Sequence, residues 1–359
     1  MANNILITGA TGTIGREIVK ALTARGLEFE TMSSRPGQII DGKPARFGDF
    51  SRPETLRQAF HGIDTLFLLQ PLAPEMAEFG INAVDAAKAA GVKHIVRSSG
   101  GGADPDSPFS IAKVHGQVDR HVQESGLGWT LLRPNAFMQN FLSYYLEQIR
   151  SGAYTKPNGE GATSLVDVRD IAECAAAVLA DPTAHASRIY TLTGGEALTN
   201  AAQMAAISAA IGKEVCYVDV PEAAAIEAMT GMGFPPKVID WLMSLNAVVK
   251  AGYASGVSDD VRLLTGHAPR RFADFVRENA AAWRGQPRQT SRTSRCPINP
   301  GTRRGFLWMR RQPRRGRLAP ERHYPCRYLK TPQGRLSRGK ERVTHANRGL
   351  HRSGHRPDC

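Results

Sequence analysis

Three glycines near the start of the chain are spaced for phosphate chemistry. Gly9, Gly12 and Gly15 follow the apolar run Ile5-Leu6-Ile7 in the string GATGTIG, and a helical pattern starts within it, with Ile14, Ile18, Val19 and Leu22 recurring on one face. A strand that passes into a helix through glycines at this spacing cradles a dinucleotide diphosphate. The first glycine makes a tight turn, the second lets main chain approach the phosphates, and the third lets the helix pack close, leaving its N-terminus facing negative charge. Gly9, Thr11, Gly12, Thr13, Ile14 and Gly15 are the residues this reading places around the diphosphate.

The next candidate positions lie at the ends of later strands. A second strand over 27–32 runs into Ser33-Ser34-Arg35-Pro36-Gly37. An acidic residue at this point would grip the ribose hydroxyls of NAD; hydroxyls and a guanidinium suit a 2′-phosphate, so NADP(H) is favoured, with NAD(H) as the alternative. Ser34 and Arg35 carry that reading, and Glu30 falls too early in the strand to take the ribose. Asp49, after a short third strand over 45–50, either meets the adenine edge or forms the turn before a helix that Ser51 and Glu54 would open as a capping box. The continuous apolar run 64–69 reads as a strand buried on both faces, which brings Leu69 and Gln70 to the carboxyl edge where a cofactor lies.

These positions need a scaffold, and the pattern supplies one. Strands alternate with helices five times in about 130 residues, through a helix over 75–90, a strand over 92–97 ending in Ser98-Ser99-Gly100, a sixth strand over 129–134 and a later one over 189–192. The expected fold is α/β, a doubly wound parallel sheet of Rossmann type. A smaller, mainly helical C-terminal region follows, with helices over 223–232, 235–245 and 271–283; Met229, Met232, Phe234, Trp241 and Leu242 would form an apolar lid over a flat substrate.

Composition divides the chain differently. The net charge of +13 looks like that of a nucleic-acid or membrane binder until it is located: residues 286–359 hold 20 Lys and Arg against 3 Asp and Glu, and the first 285 hold 26 against 30. Eighteen of those 20 are arginine, interleaved with Pro, Ser, Gly and His, as in Arg310-Arg311-Gln312-Pro313-Arg314-Arg315. Such a segment buries too little apolar surface to offset its ordering entropy and is expected to be disordered. It is either a basic arm that would meet nucleic acid through phosphates or the translation of a shifted reading frame past the end of the domain, and the abrupt change and the excess of Arg over Lys favour the second. The division is therefore 1–285, with a dinucleotide-binding core over about 1–150 and a substrate or lid region over about 151–285, then the tail 286–359. The body has no signal segment and no apolar run near the roughly 20 residues that span a bilayer, so a cytoplasmic protein, a monomer or homodimer, is expected. The five cysteines, at 174, 216, 296, 326 and 359, show neither metal-ligand spacing nor a disulfide framework.

Assembled, these features resemble the atypical short-chain dehydrogenase/reductases, and within them the NmrA-like group. The resemblance rests on GATGTIG at 9–15, AAKAAGVKHIVRSS at 86–99, SGLGWTLLRPNAFMQNF at 125–141, LVDVRDIAECAAAVL at 165–179 and SDDVRLLTGHAPRRFADFVREN at 258–279, and it stops at the tail. Within the group it is nearest to bacterial NAD(P)H-dependent azo-dye and quinone reductases. Typical short-chain dehydrogenases use Tyr-x-x-x-Lys beside a serine; the matching stretch here is Phe109-Ser110-Ile111-Ala112-Lys113, so the lysine is kept and the tyrosine lost.

The resemblance implies that Lys113 holds the nicotinamide ribose, with Ser98 near the chemistry and Asn135 and Phe137, after the sixth strand, placing the ring; Ser99 and His115 are candidate helpers. Phe109 gives no proton, which disfavours alcohol/ketone chemistry through a phenolate. Hydride transfer needs only the nicotinamide held against an electrophile, so the expected function is an NAD(P)H-dependent reductase of a quinone or azo compound, without metal or flavin. The alternatives are a reductase of a C=N or C=C bond in a specialised metabolite, and a non-enzymatic NADP(H)-binding redox sensor.

Overall fold

Short strands whose residues are all apolar bury both faces, and the structure satisfies them with helices on either side of one parallel sheet. The computed structural model describes residues 3–284; the basic segment 286–359, and the expectation attached to it, lie outside the described residues. The sheet consists of β1 (Ile5–Ile7), β2 (Phe29–Ser33), β3 (Arg46–Phe47), β4 (Thr65–Leu68), β5 (His94–Ser98), β6 (Gly128–Pro134) and β7 (Arg188–Leu192). Their order is β7-β6-β5-β4-β1-β2-β3, with every neighbouring pair parallel. The order reverses at β1, which opens a crevice beyond the carboxyl ends of β1 and β4.

Alternation along the strands sorts side chains between two cores. Ile5, Ile7, Phe67, Val96 and Leu132 face α1 (Thr13–Ala24) and α5 (Val168–Ala180). Leu6, Leu66, Leu68, Ile95 and Leu131 face the layer of α2 (Pro53–Ala59), α3 (Met76–Ala90) and α4 (Ser110–Glu124). The stripe expected on α1 is buried at all four positions, Ile14, Ile18, Val19 and Leu22. β7 and α5 come from beyond residue 150, so the nucleotide-type sheet draws on both stretches of the body.

Past β6 the chain builds a third core. Met138, Phe141, Tyr154, Met204, Phe272 and Trp283 pack together, and Trp283 Nε1 donates to the Phe141 carbonyl at 2.8 Å. Helices α6 (Asn200–Ile211) and α9 (Phe272–Arg284) supply residues to it; between them in sequence come α7 (Glu222–Gly231) and α8 (Pro236–Lys250), and α8 packs on α4 through Val238 and Trp241. No helix among the described residues is long and apolar enough to cross a membrane.

Two local expectations are corrected. The capping box at Ser51 and Glu54 does not form, because Asp49 captures both the Ser51 N–H, at 3.0 Å, and its hydroxyl, at 2.7 Å. Helix α2 starts instead at Pro53 without a side-chain cap. The five-residue lid is not a unit either: Trp241 is 3% exposed in a core with Met76, Val114 and Val238, whereas Met232 and Phe234 face solvent.

The carboxyl ends of β5 and β6 are tied to α4 by one carboxylate. Asp119, fully buried on α4, accepts from the Arg97 guanidinium, from Ser99 Oγ at 2.9 Å and from Arg133 Nε at 3.0 Å. Arg97 is itself fully buried, so removing the carboxylate leaves guanidinium charge without an anion in the interior. We expect Asp119→Asn to destabilise the chain by about 3–5 kcal/mol in urea unfolding; a loss under about 1 kcal/mol would contradict this account of the tie.

Candidate active site

The glycine loop has the geometry that its spacing implies. Gly9 sits at φ +66°, in the left-handed region, and a Cβ on Gly15 would lie 2.2 Å from the Gly9 carbonyl oxygen. No side chain fits there, so α1 packs onto the loop only because residue 15 is glycine. Thr8 Oγ1 accepts from the Leu69 N–H at 2.8 Å and donates to the Phe67 carbonyl at 3.0 Å, fastening the ends of β1 and β4 together. At the start of α1 the N-cap is Gly12, with no side-chain cap and no acidic residue in the first turn. Its free N–H groups stand beside exposed Thr11, Gly12 and Thr13, a donor set that fits a diphosphate; Ile14 is buried, so its contribution there is main chain.

At the end of β2, Ser33 Oγ accepts from the Arg35 N–H at 3.1 Å and shapes the turn that exposes Ser34 and Arg35. The Arg35 guanidinium forms no ion pair with any described residue. Glu30 is committed elsewhere: Arg46 binds it through Nε and Nη2, each at 2.6 Å. Asp49 takes the turn-forming alternative. Desolvation raises its pKa, but bonds from Ser51 and the Arg52 pair outweigh that and hold the carboxyl below its ordinary range. Leu69 packs over Gly9 at the edge of the crevice. Gln70 departs from expectation, because its carboxamide turns inward toward Gly80, 7% exposed and without a hydrogen-bond partner among the described residues. What Gln70 offers at the edge is main chain.

On the far side of the crevice, Ser98 and Ser99 separate in role. Ser99 is spent on Asp119, whereas Ser98, 5% exposed at the tip of β5, has no side-chain hydrogen bond among the described residues. Lys113 is exposed one turn into α4, with no ion pair to a described residue, and Phe109 precedes the helix. The Tyr253 ring meets Phe109 edge-on at 5.8 Å, a contact that no local pattern in the sequence signals. His115 does not reach out as an acid. Burial, then the Arg97 and Arg133 guanidiniums, push its pKa down to about 3, so the imidazole is neutral.

Asn135 is the clearest reassignment. Its Nδ2 donates to Ser164 Oγ and to the Ala254 carbonyl, both at 2.8 Å, and its Oδ1 accepts from the Ala136 N–H. The carboxamide is a clasp that holds the chain after α8 against the end of β6. Phe137 is half-buried and lines a pocket of about 520 Å³, mouth included, together with Tyr145, Tyr154, Leu245, Asn246 and Val249. These residues, rather than the five of the expected lid, meet around Phe137. Their apolar spacing reads simply as core, and only the folded chain aligns them with the end of β6.

Asp170, Glu173 and His267 also converge at a spacing a cation would accept. The Arg270 guanidinium already bridges the two carboxylates, which makes the cluster an ion-pair network between α5 and the segment before α9.

The NmrA-like family profile matches residues 1–259. Among curated proteins, the chain is similar to the NAD(P)H azoreductase of Xenophilus azovorans, 40% identical over 283 residues, covering 78% of this chain and 99% of that one. It is 31% identical over 283 residues to the (4-alkanoyl-5-oxo-2,5-dihydrofuran-3-yl)methyl phosphate reductase of Streptomyces griseus, covering 78% and 99%. The NADPH complex of the Escherichia coli NADPH-dependent quinone oxidoreductase superimposes with a TM-score of 0.69 at 27% identity, covering 76% of this chain and 99% of that one.

The buried histidines give the fold a pH signature. His94, 4% exposed, is pushed down to about 4 by burial and by His185, and His115 to about 3. Both are neutral when folded, so below about pH 6.5 the unfolded chain takes up protons that the folded one refuses. Their contribution is complete above pH 6.5 and is lost as pH falls toward 4, by about 1.4 kcal/mol per pH unit for each. Urea midpoints measured from pH 7.5 to 4.5 should fall accordingly, and less steeply in His94→Gln; a flat profile would show that these rings charge freely in the folded state.

Proposed function

The chain belongs to the NmrA-like family, and from that premise we propose that it is an NADPH-preferring reductase of quinones or azo compounds. That it is an NAD(P)H-dependent oxidoreductase of the azoreductase and quinone reductase type follows from its relatives; the preference for NADPH and the acceptor are our reading. The observation that carries the acceptor class is Phe109 one turn before an exposed Lys113 that forms no ion pair with a described residue. What supports the reading is that the lysine is kept while a phenyl ring stands where a carbonyl reductase would carry its phenol.

Bound NADPH supplies a hydride from its nicotinamide ring. The protein's part is to hold and to orient. Uncapped N–H groups of α1 take the diphosphate, Arg35 and Ser34 take the 2′-phosphate, and Lys113 and Ser98 take the ribose and the edge of the ring. Phe137 forms the apolar wall against which a flat acceptor stacks. The clasp of Asn135 on the Ala254 carbonyl keeps that wall beside the crevice. Quinones and azo bonds are electrophilic without a strong acid, so their reduced forms draw protons from water, and neutral His115 is not required to give one.

The test is NADPH and NADH oxidation by the full chain with quinone and azo acceptors, for wild type and Arg35→Ala. We expect turnover, and a KM for NADPH about tenfold higher in the variant, with a smaller change for NADH, as for loss of one charge-assisted contact. Equal effects on the two cofactors would remove Arg35 from the 2′-phosphate. NADPH binding without oxidation of any acceptor would leave the sensor reading.

A further inference from the structure

The pocket beside Phe137 carries a charge imbalance that holding a neutral aromatic acceptor does not use. Lys156 lines it, and no aspartate or glutamate does. The ammonium lies 4.5 Å from the centroid of the Tyr145 ring and forms no ion pair with any described residue. Asp219, in register with Lys156 on the neighbouring strand, forms no ion pair with it, and its Oδ1 accepts from the Gly159 N–H at 2.8 Å.

This lysine is not a loose surface group. It ends the strand Ala153–Lys156, which pairs in parallel with Cys216–Asp219, and its own carbonyl accepts from Tyr217 and from the Val220 N–H. Two residues on, Asn158 is 5% exposed, also lines the pocket, and has an Oδ1 with no hydrogen-bond partner among the described residues. The loop that carries it is pressed against α8: a Cβ on Gly161 would sit 2.2 Å from the Val249 carbonyl oxygen. A buried acceptor without a donor costs stability unless a ligand supplies the missing N–H or O–H, and a half-buried ammonium on an aromatic face beside it is placed to meet an anion on the same ligand. The aromatic walls formed by Phe137, Tyr145 and Tyr154 suit a flat ring.

We infer that the acceptor this pocket is built for is an aromatic or quinonoid compound bearing an acid group, a carboxylate, sulfonate or phosphate, which Lys156 binds, and a hydroxyl or amino donor, which Asn158 Oδ1 receives. The inference rests on the reductase reading and narrows it from flat electrophiles in general to anionic ones. Lys156 selects the substrate; it takes no part in moving the hydride.

The experiment compares 1,2-naphthoquinone with its 4-sulfonate, NADPH being saturating, in the full-length chain and in Lys156→Gln and Lys156→Arg. The readout is the ratio of kcat/KM for the sulfonate to kcat/KM for the neutral quinone. The inference predicts that this ratio falls about tenfold in Lys156→Gln, recovers in Lys156→Arg, and in wild type declines as salt is raised. A general loss of folding or activity lowers both terms and leaves the ratio in place. A wild-type ratio that neither Lys156→Gln nor salt moves overturns the inference while the reductase reading stands. Absence of NADPH oxidation with either quinone overturns both.

Discussion

The chain's architecture turns on a contact that tolerates no side chain. Gly15 in the first turn of α1 meets the carbonyl of Gly9 so closely that a Cβ would stand 2.2 Å from the oxygen. That approach aims the N–H groups at the start of α1 along the carboxyl edge of the sheet, and no side chain among the described residues caps them. Thr8 then fixes the height of β4 relative to β1 by bonding across to Phe67 and Leu69. Everything that a dinucleotide would touch is measured from this edge: the serine and arginine turn after β2 at one end, and Ser98 and Lys113 at the other.

The second half of the site depends on a different kind of constraint. Two arginines from adjacent strands, Arg97 and Arg133, share Asp119 of α4, and this buried pairing keeps the helix bearing Lys113 in register with the strand ends bearing Ser98 and Asn135. Burial first, and then the two guanidiniums, keep His115 beside them neutral. A positive interior next to the crevice is also a favourable place for negative charge to develop on a reduced acceptor.

The parallel sheet was legible because strands buried on both faces, and helices with one apolar stripe, write their periods directly into the chain; α1 and β4 are examples. The glycine loop was legible because its function is main-chain geometry, which residue type alone dictates. The acceptor side was less so. Asn135 has the composition of a ligand-binding residue and turned out to clasp Ser164 and Ala254, partners 29 and 119 residues away. Gln70 likewise turned inward. Tyr145, Tyr154, Leu245 and Val249 could be read as apolar, but their meeting around Phe137 follows from how the third core docks on β6, which no local pattern encodes. Lys156 looks like any strand lysine until the pocket it lines proves free of acids.

The central claim is direct hydride transfer from NADPH, organised by this crevice without a phenolic acid. The measurement that bears on it most directly is a single turnover of the full chain, with no added metal or flavin, using NADPH carrying deuterium at the transferred C4 position and a quinone acceptor. The account predicts oxidation of one NADPH per quinone reduced, a rate lowered about two- to fourfold by the deuterium, as expected when hydride transfer contributes to the barrier, and deuterium retained in neither the oxidised nicotinamide nor the enzyme. Full NADPH binding with no quinone-dependent oxidation would contradict it.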